Sequence, residues 1–291
     1  MASKKTNPPI IAVTTQKGGV GKSTTVINLA AEFNHNGYQV LVIDLDPQGN
    51  TTNHITGMDF SNFVDANIDK LICYPETRRD VEATKKCIIN SNNEGGFNGV
   101  KIIPSAANLD KRVQETIKAS SPRPDEELRY RLDMVKDQFD IILIDCPPSL
   151  TTLTNNAISA ATHYITPIDT CTNYSLTGWT SLIEHVENIT GVTNPDISYI
   201  GSLLTRHDKT KNVNKALGNT VAQLEQTVFG EGPLIPMHIH SSTKVGEASI
   251  GHKSMRKYAR SNAVTKDYQE LALFLEAKLN LPKRQTKELI K

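Results

Sequence analysis

One stretch, residues 10–25 (IIAVTTQKGGVGKSTT), limits the folds open to this chain more than any other. Apolar, mostly β-branched residues from Ile10 give way to glycines at positions 18, 19 and 21, then to Lys22, Ser23, Thr24 and a helical pattern. Strand, glycine loop and helix in that order make a cradle for a triphosphate. Gly18, Gly19 and Gly21, with Val20 among them, let the backbone close around a phosphate with its amides pointing inward. Lys22 offers a point charge to the β- and γ-oxygens, Ser23 a hydroxyl to Mg2+, and the following helix its positive end. The spacing departs from G-x-x-x-x-G-K-[ST]: Gln16 stands where the first glycine would fall, and a second lysine, Lys17, opens the run.

Helical spacing continues through Val26, Ile27, Leu29, Ala30 and Phe33, and Gly37 offers a stop. Residues 40–43 read as a second buried strand ending in DLDPQGN. Carboxylates at the end of a strand that follows a phosphate loop fall near the bound phosphate. Asp46 is the candidate for orienting the attacking water, and Asp44 for supporting the magnesium shell. Residues 139–145 (FDIILID) form the strongest buried strand in the chain. Its terminal Asp145 is placed to hold magnesium through water or hydroxyl contacts, beside a stiff loop, CPPS.

Elsewhere the patterning is coarser. Residues 51–99 are the least readable, and SNNEGGFNG (91–99) reads as a surface loop. Further strands at 100–103, 164–168, 197–205 and 234–235 alternate with helices near 109–118, 125–136, 157–161, 175–190 and 213–229. Asp125 reads as the capped start of its helix. This alternation predicts an α/β fold: a doubly wound, mostly parallel sheet with helices on both faces and its ligand at the strands' carboxyl ends. The expected organisation is a short polar arm (1–9), one domain (10–280) and a basic tail (281–291).

Net charge is +1 over 291 residues, so any polyanion-binding surface must be local. One candidate is residues 244–266, where Lys244, Lys253, Arg256, Lys257, Arg260 and Lys266 face a single acid, Glu247. A second basic group is Arg206, Lys209, Lys211 and Lys215, and the tail adds Lys283, Arg284, Lys287 and Lys291. Charge runs of this kind are more often solvated faces than binding sites. Four scattered cysteines (Cys73, Cys87, Cys146, Cys171) without C-x-x-C argue for a reducing compartment and against zinc or disulfides. No apolar run approaches a membrane span, and MASKKTNPP lacks the core of a signal peptide. A cytoplasmic protein is expected. His238 and His240 alternate as a metal pair would, but no third ligand is near them in sequence.

KGGVGKST, DLDPQGN and ILIDCPPSLTTLTNNAISAA together resemble the ParA/MinD family of dimeric ATPases, whose phosphate loop is a deviant Walker A. GEAS with Gly251, Tyr258 and Tyr268 is similar to the family's carboxyl-terminal segment, so the resemblance spans residues 10–279. It implies ATP and Mg2+ as cofactors, and an ATP-dependent homodimer in which Lys17 of each subunit reaches the other's phosphates. It also implies non-specific DNA binding by that dimer, and a ParB-like adaptor that speeds hydrolysis. Asp46 matches the family's hydrolysis aspartate, Lys22 its loop lysine and Ser23 its magnesium hydroxyl. Pro236 matches a residue that stacks on adenine, Lys244 a DNA-contacting arginine and Lys253 a lysine. Two departures stand out: Met237-His238 replaces the Arg-Asn of many relatives, and about four extra residues precede Glu247.

The resemblance implies plasmid or chromosome partition on the nucleoid; the same switch could position a protein cargo instead. A membrane-bound regulator of the MinD kind needs a terminal amphipathic helix. LPKRQTKELIK supplies only Leu281, Leu289 and Ile290, so no stable membrane association is expected. DLDPQGN and DCPPSL count against a ligase or amidotransferase, and unpaired cysteines against electron transfer. With nine residues before the first strand, no amino-terminal helix-turn-helix is expected.

Overall fold

Runs of consecutive apolar residues set the centre of the sheet, because strands covered by helices on both faces have no solvent side to alternate toward. The computed structural model describes residues 7–74, 79–171, 175–208, 210–230 and 234–284, with the backbone alone at 175–177. Its strands are β1 (Ile10–Val13), β2 (Val40–Asp44), β3 (Ile89–Asn90), β4 (Lys101–Ile103), β5 (Ile141–Asp145), β6 (His163–Asp169), β7 (Ser198–His207) and β8 (His238–His240). They form one sheet in the order β3-β4-β2-β5-β1-β6-β7-β8. Neighbours are parallel except β3 and β4. The α/β expectation holds.

Side chains of the central strands divide between two cores. Ile10, Ala12, Ile142 and Ile144 face one layer, with helices Thr152–Ala160 and Ser175–Thr193. Ile11, Val13, Ile141 and Leu143 face the other, with helices Lys22–His35 and Ala263–Lys278. Each isoleucine, leucine and valine among them contributes about 1.5–3 kcal/mol by leaving water. The register is what positions the site: Val13 lies level with Asp145, and Asp145 with Asp44. The chain winds outward on both sides of β1, so the loop after it opens at the switch point where doubly wound sheets bind ligands.

Three local expectations are corrected. The last strand is β8, not residues 234–235, because Pro236 has no N–H for the ladder. Ile235 makes one sheet-like bond to the Ser202 carbonyl (3.2 Å) and the pairing resumes at His238. The helix expected from Asp125 spans Glu127–Asp133 and has no side-chain cap of its own. Asp125 instead accepts from Asn155 (3.0 Å), and Asn156 caps the Leu128 N–H (2.9 Å) from another helix.

The 91–99 loop is not simply superficial. Phe97 is fully buried, the Gly95 carbonyl accepts the Ser254 N–H (2.8 Å), and Asn93 donates to the carbonyls of His54 (3.2 Å) and His252 (3.0 Å). A Cβ on Gly95 would lie 2.1 Å from the His252 carbonyl oxygen, so only glycine fits there. The tail's Lys287 and Lys291, the start of the arm (1–6) and Lys209 lie outside the described residues.

Candidate functional site

The loop after β1 is shaped by its glycines. Gly19 and Gly21 take left-handed φ values of +72° and +95°, a region that side chains rarely enter. Lys22 starts the helix Lys22–His35, is only 6% exposed, and donates Nζ to the Lys17 carbonyl (3.1 Å). Burial lowers its pKa, opposed chiefly by the charge of Asp145.

The DLDPQGN segment is folded by its own carboxylates, as turn aspartates do. Asp44 Oδ1 accepts the Asp46 N–H (3.2 Å), and Asp46 Oδ1 accepts the Gln48 N–H (3.0 Å). Asp44 Oδ2 takes both the N–H and the hydroxyl of Thr52, each at 2.7 Å. The Ser105 hydroxyl holds the Asp46 carbonyl (2.6 Å). Burial, and then the neighbouring Asp145 charge, raise the pKa of Asp44 well above the carboxylate range. Asp145 Oδ2 accepts the Thr51 hydroxyl (2.6 Å), whereas Oδ1 is buried with no hydrogen-bond partner. Burial lifts Asp145 to about 6 against the lowering pull of Thr51, Ser23 and Lys22.

A cleft of about 520 Å³ opens over this group. Residues 18–24, Asp46, Gln48, Asn50 and Pro148 line it, together with Thr205, Arg206, residues 239–242, Val245 and Tyr268. The structure therefore brings together Gly18, Gly19, Val20, Gly21, Lys22, Ser23, Thr24 and Asp46 on the cleft wall, with Asp44 and Asp145 buried beneath it. Lys17 does not line the cleft of its own subunit.

Pro236 is exposed, precedes β8 and is not among the residues that line the cleft. Residues 239–242, at the carboxyl end of β8 and just beyond it, do line the cleft. Thr205, Thr51 and Thr52 were not singled out from the sequence, and Arg206 was noted only as part of a basic group, not as a residue of the phosphate site. Their signal was position: at or just after the end of an expected strand (Thr205, Arg206), or just after the aspartate turn in the helix Asn50–Thr56 (Thr51, Thr52).

The basic candidates separate. Lys253, Lys257 and Arg260 are exposed. Lys244 pairs with Glu247 (2.7 Å) and lies over the Tyr258 ring, an exposed arrangement of small energetic weight. Arg256 is withdrawn from the nucleic-acid set: its guanidinium grips Glu32, Nε lying 3.0 and 2.9 Å from the two carboxylate oxygens. Its side chain is 15% exposed and that of Glu32 is 3% exposed. His238 and His240 bring their Nε2 atoms to 3.4 Å, with His240 Nδ1 on Asp267 (2.9 Å). Among the described residues, no group of three or more His, Cys, Asp or Glu is arranged to hold a metal.

The unpartnered Asp145 oxygen beside the Ser23 hydroxyl suits a hard cation with oxygen ligands, so these residues fit Mg2+.

A family model described as an AAA domain matches residues 9–199. The Bacillus subtilis sporulation initiation inhibitor protein Soj is 34% identical over 204 residues, 70% of this chain and 75% of that protein. The Caulobacter vibrioides chromosome partitioning protein ParA is 31% identical over 268 residues, 90% of this chain and 92% of that protein. The chain belongs to the ParA/Soj family. The family fold recurs in a cobyrinic acid a,c-diamide synthase from Mycobacterium smegmatis, solved with ADP and magnesium. That structure has TM-score 0.75 and 25% identity, and covers 96% of this chain and 99% of its own. Among the described residues, no helix of this ParA/Soj member is long and apolar enough to cross a membrane.

The buried carboxylates give the nucleotide-free protein a pH signature. Asp145 has a folded pKa of about 6, above its ordinary value of 3.8. Its contribution to stability is therefore full below that ordinary value and is lost as pH rises through 6. Without nucleotide, Asp145→Asn should stabilise the protein at pH 7.5 and do so far less near pH 3.5, below the ordinary carboxyl value. Urea unfolding at the two pH values measures this, and equal effects at both would show that Asp145 is not the titrating group.

Proposed function

We propose that this chain is an ATP-dependent dimerising ATPase that binds DNA non-specifically in its ATP state and drives plasmid or chromosome partition at the nucleoid. The observation that carries this reading is the levelling of Asp44 and Asp145 beneath a glycine loop with a buried Lys22, in a chain related to partition proteins. The inward amides of residues 18–24 receive the phosphates, and Lys22 neutralises the β/γ oxygens. Mg2+, held by the Ser23 hydroxyl and through water by Asp44 and Asp145, would neutralise the remaining phosphate charge when bound. Asp46 accepts a hydrogen bond from the attacking water and orients it at the γ-phosphate. Lys17, which does not line its own cleft, serves the phosphates of a second copy, where it offsets charge spreading onto the transferred oxygens. A ParB-like adaptor stimulates hydrolysis and so ends the DNA-bound state.

The test is DNA binding with Mg-ATP against Mg-ADP, on two duplexes of unrelated sequence. Salt-sensitive binding is expected with ATP only, alike for both. Lys253→Ala with Lys257→Ala should lower the log–log salt slope by about 0.9 for each phosphate no longer neutralised. Equal binding with either nucleotide, or none, would overturn the DNA reading.

A further inference from the structure

β7 ends irregularly. Its register with β8 shifts between Leu204 and His207, and Arg206 within that bulge has φ +51°, in the left-handed region. Successive side chains of a regular strand point to opposite faces, whereas bulges beside active sites re-aim them. Here two consecutive side chains reach the same loop: Thr205 Oγ1 donates to the Val20 carbonyl (2.8 Å) and Arg206 Nη2 to the Gly19 carbonyl (2.9 Å). The guanidinium is half exposed on the cleft and also pairs with the fully buried Asp169 at the end of β6, whose charge needs that partner. The Arg206 carbonyl is itself held by Asn214 (3.4 Å) and Cys171 (3.5 Å).

A trans peptide is planar, with its C=O and N–H on opposite sides. Fixing the Gly19 carbonyl therefore fixes the direction of the Val20 N–H, and fixing the Val20 carbonyl fixes that of the Gly21 N–H. We propose that Thr205 and Arg206 are positioning residues that order the glycine loop before nucleotide arrives, by pinning two successive carbonyls and so fixing the directions of the next two amides. The inference rests on the nucleotide-binding part of the proposed function. Neither residue need touch the transferred phosphoryl group; both spare the bound nucleotide the entropy of ordering a glycine loop.

The experiment titrates Mg-ADP and AMP into the full chain by calorimetry. Thr205→Val removes one bond at nearly constant shape, and Thr205→Ser keeps the hydroxyl. Arg206→Asn removes the guanidinium while retaining a residue that tolerates positive φ. Thr205→Val and Arg206→Asn should each weaken Mg-ADP about tenfold, the scale of one pinned hydrogen bond. Thr205→Ser should restore most of the affinity. AMP, which lacks the β-phosphate cradled by the loop, should lose far less. Wild-type affinity for ADP in both Thr205→Val and Arg206→Asn would overturn the proposal, as would equal losses for ADP and AMP. If the unmodified chain binds neither nucleotide, the functional reading itself falls, and the clamp with it.

Discussion

Replacing Asp46 by asparagine or alanine should slow ATP turnover at least about a hundredfold, the low end for losing a positioned proton acceptor, while Mg-ATP still binds. Asp46 is the one aspartate of the buried group that lines the cleft; Asp44 and Asp145 lie beneath it. The asparagine variant is the sharper of the two. Its Oδ1 can still accept the Gln48 N–H that closes the turn (3.0 Å), and its backbone carbonyl still receives Ser105 (2.6 Å). Shape is thus retained, and what disappears is the anionic oxygen available to a water. Single-turnover phosphate release measures the chemical step, and nucleotide titration measures binding. Loss of both together would make Asp46 a structural residue, and unchanged release would move the water-orienting role to another group. With hydrolysis blocked, the ATP-loaded form should stay on DNA, so the same variant lengthens the DNA-bound lifetime if the proposed cycle operates.

What could be foreseen from the chain follows the range of the forces involved. The glycine loop, the strands on either side of it and the two aspartate-ended strands were legible because each is specified within about ten residues. Steric permission at Gly19 and Gly21, unbroken apolar runs and turn-forming aspartates need no distant partner. Even the levelling of Asp44 with Asp145 is implied once both strands flank a common phosphate.

The misreadings share the opposite character. Asp125 has the look of a helix cap, but Asn155 and Asn156 lie on a helix packed against it and take over the hydrogen bonding. The 91–99 segment has the composition of a solvent loop, yet the His252 backbone lies against Gly95 and the Ser254 side chain against Gly96. The strand expected at 234–235 stops short because Pro236 has no N–H to give, and pairing resumes at His238. The shared role of Thr205 and Arg206 at the glycine loop was not legible because alternation assigns them to opposite faces, and a bulge is not visible in hydrophobic periodicity.

Arg256 shows how a charge run misleads, and its replacement carries the second large effect. Arg256→Ala should destabilise the protein by about 3–5 kcal/mol, the range for stripping one partner from a buried ion pair. Glu32, on the helix that begins at the phosphate loop, would be left buried with its charge uncompensated. Its carboxyl pKa is already raised by burial, with Arg256 pulling it down. Removing the arginine raises it further, and a carboxyl with a raised folded pKa contributes most at low pH and loses that contribution as pH rises through the folded value. The deficit of Arg256→Ala relative to the unmodified chain should therefore be largest near pH 8 and smaller near pH 5. Adding Glu32→Leu to Arg256→Met should recover much of the loss, since well-packed apolar replacements for a buried pair are often neutral. Urea denaturation of the single and double variants at both pH values separates this from a surface role. An arginine that served DNA alone would leave stability within about 0.5 kcal/mol and lower duplex affinity instead. Because Glu32 and Lys22 share one helix, nucleotide affinity should fall with stability in Arg256→Ala and return in the double variant, a pairing that a DNA-contact residue has no reason to produce.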